Sequence, residues 1–148
     1  MKFNNSNICI QEYETRFDKD FFVLNKAWIE ESWILEESDK KDLLNPKKII
    51  DNGGQVFFAV EDQNAIGTVA MIKNSDYKFE LAKMTVKENY RGKGIANMLM
   101  DQCLDFAKQK NTKEIFLISN DSLTTCLLYT SDAADDTPCV DLGGRRII

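Results

Sequence analysis

Between Lys78 and Ser119 the hydrophobic pattern changes period twice, which leaves this stretch few ways to fold. Lys78–Val86 reads as a strand in which Phe79 and Leu81 fall two apart. From Ile95 the period lengthens. Ile95, Met98, Leu99, Cys103, Phe106 and Ala107 share one helical face, with Asn97, Asp101, Asp105 and Lys108 mostly opposite. The helix is expected to end near Lys110 and Asn111, and 114–119 reads as a buried strand. A strand, a helix and a strand in that order predict a parallel pair joined by a right-handed crossover.

Upstream, Ile8 and Ile10 alternate in a first strand over 7–11 that ends near Tyr13. Asp18 or Asp20 is placed to cap a helix with Phe21, Leu24 and Trp28 on one face, and Trp33, Ile34 and Leu35 extend its apolar surface. Ser38-Asp39 offers a second cap, and Asn45-Pro46 puts a cap before a proline suited to the first helical position. Residues 18–51 therefore read as two or three short helices. Asn52-Gly53-Gly54 marks a turn, after which Gln55–Glu61 and 65–73 form a hairpin through Asp62-Gln63-Asn64. A further turn at Asn74-Ser75-Asp76 leads into Lys78–Val86 as the third member of a meander.

With 148 residues, 43% apolar and 29% charged, the chain suits one soluble domain that buries about two thirds of its unfolded surface. It has no histidine, which removes serine-histidine and cysteine-histidine catalysis and every zinc site needing imidazole; no metal is expected. Cys9, Cys103, Cys126 and Cys139 form no C-x-x-C pair and are too few for a disulfide framework, so a reducing, cytoplasmic setting fits. Cys9 and Cys103 sit among apolar residues and are expected to pack in the core. Apolar runs are short, and no basic segment leads into one at the N-terminus, which argues against a membrane partner and against secretion. The 19 Lys and Arg are scattered among 24 Asp and Glu, for a net charge of -5, which argues against nucleic acid.

The chemistry concentrates in Lys87-Glu88-Asn89-Tyr90-Arg91-Gly92-Lys93-Gly94, between the strand and the helix. Two glycines at a helix start let backbone N–H groups converge where the helix dipole favours an anion, and Arg91 and Lys93 add cations. A phosphate or pyrophosphate cradle is one reading, and a glycine-rich turn with solvated charges is the other. The nucleoside-triphosphate loop G-x-x-x-x-G-K-[ST] does not occur. The dinucleotide fingerprint fails too, since Gly92-Lys93-Gly94-Ile95-Ala96-Asn97 ends in Asn.

Arg91-Gly92-Lys93-Gly94-Ile95-Ala96 resembles the [QR]-x-x-G-x-[GA] motif of the GNAT superfamily of acetyl-coenzyme A-dependent N-acetyltransferases. The preceding strand, the following helix, the N-terminal strand, the paired helices and the hairpin resemble that family as well, over about 7–125. The resemblance implies a GNAT α/β fold: a mixed, mostly antiparallel sheet with a βαβ acetyl-CoA-binding unit. It further implies that backbone amides of Arg91, Gly92, Lys93, Gly94, Ile95 and Ala96 hold the coenzyme A pyrophosphate. The backbone of Met84, Thr85 and Val86 would bind the pantetheine arm and the acetyl carbonyl, where strands splay apart. Glu80 matches a glutamate that serves some members as general base, the alternative being a solvent-facing carboxylate paired with Lys78 or Lys83. Asn120 matches a position near the coenzyme. Trp28 and Trp33, with Phe57 and Phe58, are candidates for an acceptor pocket or simply for core. Lys40-Lys41 and Lys47-Lys48 read as solvated helix faces.

The implied activity is acetyl transfer to a primary amine of a small molecule, peptide or protein by direct attack in a ternary complex, with a homodimer as an option. Two alternatives stand beside it: a non-catalytic acyl-CoA-binding sensor, and a different nucleotide-binding α/β domain. After Thr125 the resemblance ends, without the expected helix and last two strands. Cys126–Asp136 and Val140–Ile148 resemble the translation of a sequencing-library adapter and its outer primer. The expected organisation is thus an incomplete GNAT domain over 1–125 and a non-native tail over 126–148. Such a truncation would bare the outer edge of the 114–119 strand and bring the stability and activity of the chain into question.

Overall fold

Six strands lie side by side in the order in which they occur along the chain: β1 (Ile8–Glu12), β2 (Gln55–Glu61), β3 (Asn64–Ser75), β4 (Lys78–Val86), β5 (Glu114–Ile118) and β6 (Thr125–Thr130). The structure, a computed structural model, describes residues 7–31, 34–118 and 125–130. Neighbouring strands are antiparallel except β4 and β5, which are parallel, as the strand–helix–strand pattern requires. Among the described residues the helices are α1 (Asp18–Glu30), α2 (Glu37–Leu43), α3 (Lys47–Asp51) and α4 (Ile95–Gln109). None of the described helices is long and apolar enough to cross a membrane.

The sheet separates two apolar clusters because successive strand residues face opposite ways. On one face, Ile95, Leu99, Cys103, Phe106 and Ala107 of α4 pack on Phe57, Val69, Met71, Phe79 and Leu81. Phe106 is wedged edge-on between Phe57 and Phe79, at centroid distances of 5.9 and 5.4 Å. On the other face, Phe17, Phe21, Leu24 and Leu43 cover Val56, Phe58, Val60 and Ala70. There Phe17 stacks on Phe58 at 4.4 Å. Phe57 and Phe58 are thus core residues on opposite faces, 1% and 0% exposed, and neither lines an acceptor pocket.

Several local expectations shift. The β2–β3 turn needs only Asp62 and Gln63, whose φ of 51° and 72° give the paired left-handed conformation of a tight hairpin. β3 continues through Asn74 to Ser75, so the next turn falls on Asp76 and Tyr77. At α1 the cap position is Phe17, because a 3-10 turn over Thr15–Phe17 runs directly into the helix. Asp18 instead accepts a 2.5 Å hydrogen bond from the Tyr13 hydroxyl. α2 begins at Glu37, ahead of Ser38, and α3 takes Pro46 rather than Asn45 as its cap. Cys9 is exposed while Cys103 is buried. Alternation explains the first: Ile8 points toward the α4 cluster, so Cys9 must point away on an edge strand. The outer edge of β5 is not bare, since β6 pairs with it from Ile118↔Thr125 to Glu114↔Thr130.

Candidate active site

The site begins with a parity change in β4. Phe79 and Leu81 face α4, and strict alternation would aim Lys83 there and turn Met84 away. Instead Lys83 adopts a left-handed φ of 57°. Pairing with β3 moves two residues on that strand, Thr68 to Ala70, while β4 moves three, Thr85 to Ala82. This bulge resets the pattern, so Met84 and Val86 join Phe79 and Leu81 in the α4-side cluster. Glu80, Ala82 and Thr85 take the opposite face, which α1 approaches.

The parallel ladder then stops. β4 and β5 pair only over Lys78–Glu80 against Glu114–Phe116, although β4 runs on to Val86 and β5 to Ile118. Beyond Glu80 the edge of β4 that faces β5 carries N–H and C=O groups unused by either neighbouring ladder. Glu80 stands at this fork, half-buried, with Ile72 and Phe116 as its lateral neighbours. Burial raises its carboxyl above the usual range, and the charge of nearby Lys83 partly offsets that rise.

From Val86 the chain turns through a 3-10 segment, Glu88–Tyr90, into the glycine loop. Three anchors fix it. The Lys87 N–H donates to Ile66 O at 2.9 Å, and the Tyr90 hydroxyl donates to Glu61 Oε1 at 2.5 Å. Arg91 donates through Nε to Val86 O at 2.9 Å, and through Nη1 and Nη2 to the two Glu31 oxygens at 3.3 and 2.7 Å. The Arg91 charge is therefore shared with a carboxylate rather than presented alone. Lys93 lies 5.8 Å from the Tyr90 ring centroid.

Gly92 and Gly94 have φ of 80° and 84°, a region that favours glycine, and a Cβ on either would meet nothing within 4 Å. Conformation rather than crowding selects them, and open space lies in front of them. Gly94 is the cap residue of α4 and provides no side chain to bond the first turn. The first N–H groups of the helix, on Ile95, Ala96 and Asn97, have no partner within the helix and sit at its positive end. A terminus of this kind favours an anion.

The structure thus sets Glu80, Met84, Thr85 and Val86 along one strand, β4, which leads through a 3-10 segment into the loop 91–96. Trp28 is half-buried on α1, three residues before the Glu31 that grips Arg91. Trp33 and Asn120 lie outside the described residues. Glu31 and Glu61 were not legible as site residues, because each meets the loop only through tertiary contact.

A profile of the acetyltransferase (GNAT) family matches residues 14–131. The chain belongs to the GNAT family. Human N-acetyltransferase 8B is 28% identical to it over 118 residues, covering 75% of this GNAT chain and 51% of that protein. The chain therefore spans about half the length of that relative. A GNAT-family acetyltransferase of Staphylococcus aureus Mu50 superposes with a TM-score of 0.70 at 26% identity, over 77% of this chain and 74% of that one. The PaiA N-acetyltransferase of Thermoplasma acidophilum, solved with coenzyme A, gives 0.62 at 22% identity, over 74% and 77%.

Proposed function

We propose that this GNAT chain is an N-acetyltransferase that moves the acetyl group of acetyl-CoA directly to a primary amine. The observation that carries the reading is the junction of an open β4 edge with a left-handed Gly92–Gly94 turn at the start of α4. The residues present fit the cosubstrate: N–H groups over 91–96, with Lys93 beside them, suit a pyrophosphate, and the open front of both glycines leaves room for it. When bound, acetyl-CoA supplies a thioester-activated acetyl group.

The chain's own residues do the rest. The backbone of Met84, Thr85 and Val86 holds the pantetheine arm and aims an N–H at the acetyl oxygen, stabilising negative charge that develops during attack. Glu80 accepts a proton from the acceptor ammonium, since only the neutral amine is nucleophilic. Its raised pKa brings a carboxylate nearer the operating pH of a base. Trp28, with Trp33, is assigned to the acceptor side, and Asn120 to the coenzyme side. No covalent enzyme intermediate is needed.

The test is calorimetric titration with acetyl-CoA, followed by thiol release measured against a panel of small amines and amino-terminal peptides. Binding with amine-dependent thiol release supports the assignment. Binding without release from any amine would leave a non-catalytic acyl-CoA-binding module, and tighter binding of NAD or ATP would refute the cosubstrate. The acetyltransferase unit is assigned to 1–125 and the stretch 126–148 is read as foreign to it. Because β6 straddles that boundary, a 1–125 truncation is the direct check, and loss of acetyl-CoA binding would return β6 to the unit.

A further inference from the structure

Resting on the cosubstrate reading above, we propose that Glu31 is a positioning residue that sets the pyrophosphate cradle through Arg91. Arg91 is the first residue of the glycine loop, and three of its N–H groups are committed. Nε–H holds the last carbonyl of β4, while Nη1 and Nη2 straddle both carboxylate oxygens of Glu31. A fork on a carboxylate fixes the guanidinium plane, and the Val86 contact fixes its root. Together they restrict the backbone at Arg91 where it enters Gly92. The conformational freedom of Gly92 and Gly94 makes such an outside constraint necessary.

Glu31 is well placed for this. It is the C-cap of α1, with its own N–H bonded to Trp28 O at 3.2 Å, so its backbone is held by the helix. Its side chain and that of Arg91 are 33% and 34% exposed, which shields the pair more than the surface ion pairs at Arg16–Glu14 or Lys47–Asp51. The contact spans sixty positions of sequence and is a side-chain link between the α1 end and the glycine loop. The end of α1 that carries Trp28 is thereby tied to the cofactor loop.

The sign of the effect separates positioning from plain electrostatics. Glu31 is an anion near a site assigned to a dianionic pyrophosphate, so as a mere charge it opposes binding, and removing it would tighten acetyl-CoA. As a positioning residue its removal weakens binding. The experiment titrates wild type, Glu31→Ala, Glu31→Asp, Arg91→Met and the double variant of the 148-residue chain with acetyl-CoA by calorimetry. Pantetheine, which has no phosphate, is titrated by NMR, and thermal unfolding is followed in parallel.

The expected result is about a tenfold loss of acetyl-CoA affinity in Glu31→Ala with pantetheine binding unchanged. Recovery in Glu31→Asp to within about threefold of wild type is expected, with a double variant no weaker than Arg91→Met. Tighter or unchanged acetyl-CoA binding in a folded Glu31→Ala overturns the proposal, as does equal loss for pantetheine or full additivity in the double variant. If Glu31→Ala does not fold, Glu31→Gln, which keeps the shape and one acceptor, takes its place with the same signs. Failure of the wild-type chain to bind acetyl-CoA overturns the cosubstrate reading itself, and this proposal with it.

Discussion

Replacing Gly94 with alanine tests the left-handed cap at the start of α4 in isolation. The position has φ 84° and ψ 6°, and a Cβ there meets nothing within 4 Å, so the cost is conformational with no clash to relieve. A left-handed alanine costs about 1–2 kcal/mol relative to the right-handed region. Alanine also restricts the unfolded chain, which returns about 0.4–1 kcal/mol. The net destabilisation is about 1 kcal/mol, which for a chain of this size lowers Tm by about 3 °C. Asparagine tolerates this region better than alanine, so Gly94→Asn falls between wild type and Gly94→Ala. The assay is thermal unfolding of all three proteins, paired with acetyl-CoA titration. The loop can also escape strain by rotating Gly94 into the helix, which swings the N–H groups of 91–96 out of convergence, so affinity drops at least tenfold. A Gly94→Ala protein with unchanged or higher Tm and unchanged affinity would refute both the strained-cap argument and the place of that cap in the cradle.

Other outcomes follow from the same structure. Glu80→Gln lowers turnover while leaving acetyl-CoA affinity within about twofold, measured by steady-state kinetics and calorimetry. Because burial raises the folded-state pKa of Glu80, its favourable contribution is present below the ordinary carboxyl value of 4.5 and is lost as pH rises through the folded value. Glu80→Gln should therefore gain Tm relative to wild type as pH rises from 4.5 to 7. Leu99→Ala empties a fully buried position beneath the sheet and costs about 3 kcal/mol, read by denaturant unfolding. Of Cys9 and Cys103, exposed Cys9 alkylates in the native state. Cys103, buried and with its pKa pushed up by desolvation, reacts only after unfolding, as peptide mass mapping will show.

What the sequence disclosed was set by periodicity. Gln55–Glu61, Lys78–Val86 and the start of α4 at Ile95 coincide with their expected bounds, because apolar spacing there answers directly to a buried face. The phosphate-type loop was legible for a similar reason: left-handed backbone at Gly92 and Gly94 leaves a mark in residue type. Features that depend on a distant partner left none. The Lys83 bulge is invisible to a period-two reading, since lysine is not a residue that advertises a left-handed turn. The Asp18 cap yielded to a 3-10 turn whose own contacts lie with Phe58. Cys9 looked apolar in its neighbourhood, but an edge strand covers only one of its faces. The Arg91–Glu31 and Tyr90–Glu61 contacts join segments that only the completed sheet brings together.

Strand order that equals chain order has a kinetic consequence. β2, β3 and β4 pair along consecutive segments through tight turns that close at little loop entropy, whereas β1 reaches β2 across the longer excursion through α1, α2 and α3. The β4–β5 joint must await the excursion through α4, and it is secured by three residue pairs. With three pairs against five between β1 and β2, that joint is the one readiest to breathe in the native state, with faster amide exchange in β5 than in β2 or β3. A molecule that hydrogen-bonds the free edge of β4 while resting on the α4 terminus acts as a clasp across this seam. Its binding would slow exchange in β5 far more than in the meander.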